Sequence, residues 1–164
     1  MTKNKLYESI PYIHKQWHLH VDIMPTGLVS GYTNILHVGT DSGADHVRSP
    51  GIWFTDMSTQ LHISSTVAIP NLTINTDPIG MNKWTSVDIS LLQQPEGHFL
   101  YTIKIAGILF KELVITDAFE LSDVRVFTSN NFYAPSAARI KNLKLQTFKG
   151  NAKHVSYSIF IQSK

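Results

Sequence analysis

The chain has 164 residues, of which 43% are hydrophobic and 16% charged, with a formal net charge of +2 and no cysteine. This composition describes one soluble domain able to bury a core of its own, and it excludes a disordered solvating segment. Fourteen Lys plus Arg and twelve Asp plus Glu are scattered without a basic stripe, which excludes a nucleic-acid footprint. The missing cysteines remove disulfide frameworks, thiolate metal sites and cysteine nucleophiles together.

The N-terminal run Met1 to Pro11 holds no apolar stretch of the length that a signal peptide needs. Strand periodicity begins at Trp17, where Leu19, Val21 and Ile23 alternate with His18, His20 and Asp22, the pattern of a strand with one buried face. Shorter apolar segments follow at Asn34 to Val38, Ile52 to Thr55 and Gln60 to Ser65. Val87, Ile89 and Leu91 alternate with Ser86, Asp88 and Ser90, and Phe99, Tyr101, Ile103 and Ile105 alternate again. Leu109 to Thr116, Val124 to Thr128, Ile140 to Thr147 and the final Val155 to Ile161 complete a set of roughly ten to twelve short strands. Pro25-Thr26-Gly27, Asp41-Ser42-Gly43, Pro95-Glu96-Gly97 and Ala106-Gly107 supply turns. No window carries a helical apolar stripe, and neither a linker nor a repeat breaks the chain. No apolar run approaches the ~20 residues that cross a bilayer as a helix, so a membrane-spanning chain is not expected. The expectation is an all-β, two-sheet antiparallel jelly-roll sandwich, with residues 1–164 forming one domain.

The order of several landmarks resembles a known family. Trp17-His18-Leu19-His20-Val21, Asn34-Ile35-Leu36-His37, Arg48-Ser49-Pro50-Gly51-Ile52-Trp53-Phe54 and Leu61-His62-Ile63 are similar to the first half of concanavalin A-like jelly rolls of the laminin G and pentraxin-like kind. Trp84-Thr85-Ser86-Val87-Asp88-Ile89, the run Gly97 to Gly107, Val124 to Phe127 and Ile140 to Leu143 resemble its later strands. The resemblance spans about residues 12–148. Secreted proteins of marine invertebrates carry similar variants, with an arginine-x-proline before an apolar pair. What it implies is an extracellular sandwich that binds sugars or matrix molecules. Function sits in sites grafted on such a scaffold, so the loops and faces must be read for themselves.

Enzymes of this fold that cleave glycans place paired carboxylates in a Glu-x-Asp-x-x-Glu arrangement, which this chain lacks. Its glutamates, Glu8, Glu96, Glu112 and Glu120, are isolated in sequence, and no Gly-x-Ser-x-Gly elbow occurs. No enzyme activity is expected. The galectin signature, His-x-Asn-x-Arg with a later Trp-Gly-x-Glu, is also absent, which disfavours a β-galactoside site of that form.

Eight histidines are many for this length. His18 and His20 share a strand face, the spacing that lets two imidazoles hold one metal in His-x-His cupins, but the glutamate those sites need does not follow. A solvated or interface-forming face is the plainer reading, while His37, His46 and His62 stand where neighbouring strands and loops can bring them together. Asp41 and Asp45, within Gly39 to His46, offer hard oxygen ligands, and the resemblance makes them candidates for calcium; an Asx turn is the alternative. Asn71-Leu72-Thr73 is a glycosylation sequon, relevant only to a secreted chain.

A ring that stacks on a pyranose needs exposure among polar neighbours. Trp53 and Trp84 are the candidate platforms, with Arg48, Asn130 and Tyr133 as polar and aromatic partners, and Tyr32 and Asn131 also lie in loop-like sequence. Low charge on the polar faces favours self-association or a protein partner. The sequence therefore predicts a non-catalytic, extracellular carbohydrate- or matrix-binding module, lectin-like in action. Its alternative is a structural building block of an extracellular assembly or biomineral matrix.

Overall fold

The computed structural model describes residues 5–40, 47–67, 71–129 and 133–150, and the backbone of 155–161. Thirteen strands follow in order: β1 Leu6–Ile13, β2 Gln16–Pro25, β3 Thr33–Gly39, β4 Arg48–Phe54, β5 Gln60–Ser65, β6 Leu72–Pro78, β7 Thr85–Gln93, β8 Phe99–Ile105, β9 Ile108–Ile115, β10 Leu121–Phe127, β11 Ala134–Pro135, β12 Ala138–Phe148 and β13 Val155–Ile161. No α-helix occurs among the described residues.

The strands form two sheets, one ordered β1-β10-β3-β4-β5-β6 and the other β13-β12-β2-β7-β8-β9. All pairings are antiparallel except that short β11 adds to β3 in parallel. Sequence-distant strands pair inside each sheet, β1 with β10 and β2 with β12, which gives the jelly-roll sandwich.

The inward faces meet in one core. Leu19, Val21 and Ile23 of β2 register against Ile89, Val87 and Thr85 of β7; all three are fully buried while the intervening His18, His20 and Asp22 are only partly covered. From the other sheet Leu36, Ile52 and Ile63 stand side by side and pack into the same core. A buried hydrogen bond of 2.7 Å between the Ser65 and Tyr101 hydroxyls links β5 of one sheet to β8 of the other.

Two long strands were not expected from sequence. In β1 only Ile10 and Ile13 are buried, and in β6 only Thr76. Both lie at sheet edges, where half the environment is solvent and the apolar alternation fades. The opposite deviation marks β3 and β4. All seven residues of β3 and six of seven in β4 are buried, so the outward face of the first sheet is covered there as well. That second covered face positions the site.

Candidate functional site

Register assigns the outward face. Ile52 and Phe54 join the core, so Trp53 between them points away from it. Across the sheet Trp53 lies opposite Asn34 of β3 and His62 of β5, and Gly51 lies opposite His37 and Ser64. The indole folds back along its own strand: a Cβ at Gly51 would stand 2.1 Å from Trp53 Cη2. Gly51 is thus the residue that lets the ring lie flat on the sheet.

Four further groups close over this indole. The rings of His62, Tyr133 and His37 stand 5.8, 5.7 and 6.4 Å from it in edge-on arrangements, a geometry favoured by aromatic quadrupoles. The Arg48 guanidinium lies 5.3 Å from its centroid, in cation–π range. Tyr32 stands edge-on to His62 at 5.0 Å. Tyr32, Arg48, Trp53, His62 and Tyr133 together line a pocket of about 200 Å³.

Local structure explains why loops deliver the two tyrosines there. Tyr32 follows Gly31, whose φ of +77° suits glycine, and whose N–H donates to Asp56 Oδ1 at 2.6 Å. Tyr133 precedes the β11 bridge to β3, and the Ser136 N–H donates to the Asn34 carbonyl at 3.1 Å. Beside the pocket, His62 Nδ1 and Asn75 Oδ1 are 2.7 Å apart, which orients the imidazole.

Burial of His37, reinforced by the charge of Arg48, pushes its pKa down to about 4, so this ring is neutral near pH 7. His37 Nδ1 and Trp53 Nε1 are both buried without a hydrogen-bond partner. Such orphaned groups are uncommon in folded proteins and each has a desolvation cost.

The sequence candidates separate. Arg48, Trp53 and Tyr133 are brought together, joined by Tyr32, and of the three histidines considered for convergence His37 and His62 flank Trp53. Trp53 itself is only 1% exposed, so it forms the floor of the pocket rather than an open stacking platform; the accessible ring is Tyr32, at 43%. Trp84 lies apart, lining a different cleft with Lys141 Nζ 4.3 Å from its ring. Asn130, Asn131, Asp41, Asp45 and His46 fall outside the described residues. His18 and His20 turn to a shared acceptor, Asp88 Oδ1, at 3.1 and 2.9 Å. Among the described residues no group of three or more His, Asp or Glu is arranged to hold a metal ion. In the sequon, Asn71 Nδ2 donates to Ser64 Oγ at 3.0 Å, which ties the acceptor nitrogen to β5.

Neither protein-family models nor curated proteins match the chain. Solved structures do. Sheep galectin-11 in complex with glycerol matches 88% of this chain and 98% of its own, at 9% identity and TM-score 0.52. A native heptameric SAP-like pentraxin from Limulus polyphemus matches 85% of this chain and 67% of its own, at 11% identity and TM-score 0.56. The CBM40 module of Ruminococcus gnavus IT-sialidase, bound to α2,3-sialyllactose, matches 83% and 90%, at 13% identity and TM-score 0.50. The fold is a concanavalin A-like jelly roll. The chain also spans 21% of a Trypanosoma rangeli sialidase that it resembles. At these identities the likeness concerns the fold, and the chemistry rests on the residues described above.

Proposed function

We propose that this chain is a non-catalytic carbohydrate-binding module of the extracellular space, and that Tyr32, Arg48, His62 and Tyr133 hold a sugar above Trp53. The observation that carries this reading is the convergence of those groups, from separate strands and loops, on one pocket of about 200 Å³. Aromatic edges, a guanidinium and an imidazole are groups that contact C–H faces and hydroxyls of a saccharide. The volume is below the roughly 300 Å³ at which drug-sized ligand sites begin, so the pocket suits one terminal sugar residue. Structural neighbours whose names include a galectin and a sialyllactose-bound carbohydrate module support the same reading. An extracellular glycan-bearing partner follows from it. Calcium at Asp41 and Asp45 remains part of the proposal, carried by the family resemblance alone.

The test is a glycan-array screen followed by calorimetric titration of the best ligand, in calcium and in chelator. Arg48→Ala and Tyr133→Ala are expected to weaken binding by about tenfold or more, the order lost with a central contact residue. Circular dichroism of both variants checks that the sandwich is intact. Absence of glycan binding under either condition, or affinity unchanged in both variants, overturns the reading.

A further inference from the structure

The corner of the sandwich where the β6–β7 connection meets the β8–β9 hairpin holds a second cleft. The hairpin tip is braced: its two-residue turn Ala106-Gly107 has φ of +52° and +78°, the conformation of a tight hairpin, and the Ala106 N–H donates to the Ser86 carbonyl at 2.8 Å. The opposite wall is fixed as well. The Ile79 N–H donates to the Thr59 carbonyl at 3.3 Å and the Asn82 N–H to the Pro25 carbonyl at 2.8 Å, while the Thr59 hydroxyl donates to the Ile79 carbonyl at 2.6 Å. Between these walls lies a space of about 380 Å³, within the range of roughly 300–1,000 Å³ in which small-molecule sites fall.

The cleft is apolar from floor to mouth. Ile79 belongs to the hydrophobic core and Ile105 packs against it, so the floor continues the core outward. Trp84 and, from the hairpin tip, Ile108, Leu109 and Phe110 form the walls nearer solvent, where they are left 37%, 73%, 50% and 37% exposed. Lys141 Nζ stands 4.3 Å from the Trp84 ring without itself lining the cleft, so it covers the indole from outside.

Charge around the cleft cancels. Lys104 lies opposite Asp88 and Lys141 opposite Asp22 in the sheet, Asp77 and Lys83 both line the cleft, and Glu112 follows Lys111. Four lysines thus meet four carboxylates, which leaves no net charge to select an anion or a cation. The adjoining β9 edge is poorly suited to accepting another strand, because its register with β8 slips between Ile103 and Lys104 and Lys111 stands on the core side opposite Ile103; a bulge and an inward-facing lysine blunt edge pairing. What remains is a braced concave site with aromatic and aliphatic walls and few polar groups, the kind of site that takes a small apolar molecule.

We infer that this cleft is a binding site, separate from the pocket beside Trp53, for an uncharged small molecule with an aromatic or aliphatic body that packs on Trp84 and Phe110 and covers Ile108 and Leu109. The test is titration of the full chain with N-phenyl-1-naphthylamine, an uncharged aromatic probe whose emission rises in apolar surroundings. Saturable binding of one probe per chain is expected, and Leu109→Asp and Phe110→Ser are each expected to weaken it by about tenfold or more. Both sites are exposed, so thermal melting should be unchanged. Val114→Ser, at the far end of the same strand, 63% exposed and outside the cleft, should bind the probe as the parent does. Trp84 reports occupancy directly: Trp17 and Trp53 are each 1% exposed, so iodide quenches Trp84 alone, and saturating probe should protect it. Absence of saturable binding, equal binding by Leu109→Asp, or Trp84 quenching that the probe leaves unchanged overturns the inference. A dimer in light scattering that Leu109→Asp dissolves also overturns it, and assigns the corner to a second copy of the chain.

Discussion

His37 is the residue whose surroundings most change its chemistry. It is 3% exposed, packed between Trp53 and Phe127, and its pKa falls from the usual 6.5 to about 4 through burial first and Arg48 second. A base whose folded pKa is depressed binds fewer protons folded than unfolded, so stability is fully present above the unfolded pKa and is lost as pH falls. The window is pH 6.5 to about 4, and the depression corresponds to roughly 3 kcal/mol at its lower end. Urea unfolding from pH 7 to pH 4 should show this loss in the parent, and a shallower pH dependence in His37→Gln. Equal pH slopes in the two proteins would remove the linkage. The sequence marks His37 as able to meet residues of neighbouring strands but not its depressed pKa, because its partners, Arg48 and Trp53 of β4 and Phe127 of β10, come from two other strands. The same holds for Gly51, whose role becomes visible only when the Trp53 ring is found lying across it.

At the scale of strands, legibility followed burial. β2 and β7 each have one core face and one partly wet face, so their alternation marks them in sequence. β3 and β4 lie under covering groups on both sides, so TNILHVG and RSPGIWF show no clean alternation. β1 and β6, at the edges, lose the pattern for the opposite reason. Tyr101 illustrates what links the sheets. It sits on the core face of β8, against Trp17 at 6.3 Å, with its hydroxyl 2.7 Å from Ser65 Oγ, and burial raises its pKa. Tyr101→Phe would leave the buried Ser65 hydroxyl without this partner, and chemical denaturation should show a loss of about 1–3 kcal/mol. A loss near zero would mean that Ser65 finds another partner.

Across the molecule, the pocket beside Trp53 lies on the outward face of the first sheet, whereas the apolar tip belongs to the β6–β9 corner, and the two share no lining residue. Substitutions at separate sites with no common partner act independently. Leu109→Asp should therefore leave glycan affinity within about twofold of the parent. Calorimetry on this variant checks it, and a larger change in affinity would show that the two surfaces are coupled.

The sequence by itself determined the fold class, because side-chain alternation along a strand is a local property that survives without knowledge of partners. It also drew attention to Arg48, Trp53 and Tyr133, since polar and aromatic residues out of the inward pattern stand out in one dimension. The tertiary structure decided that these three share a pocket with Tyr32 and His62, that Trp53 is its floor, and that Trp84 belongs with the hairpin tip. Those facts depend on strand register and on loops folding over a sheet face. Register joins residues far apart in the chain, as β1 joins β10 and β2 joins β12, and only the packed sandwich fixes it.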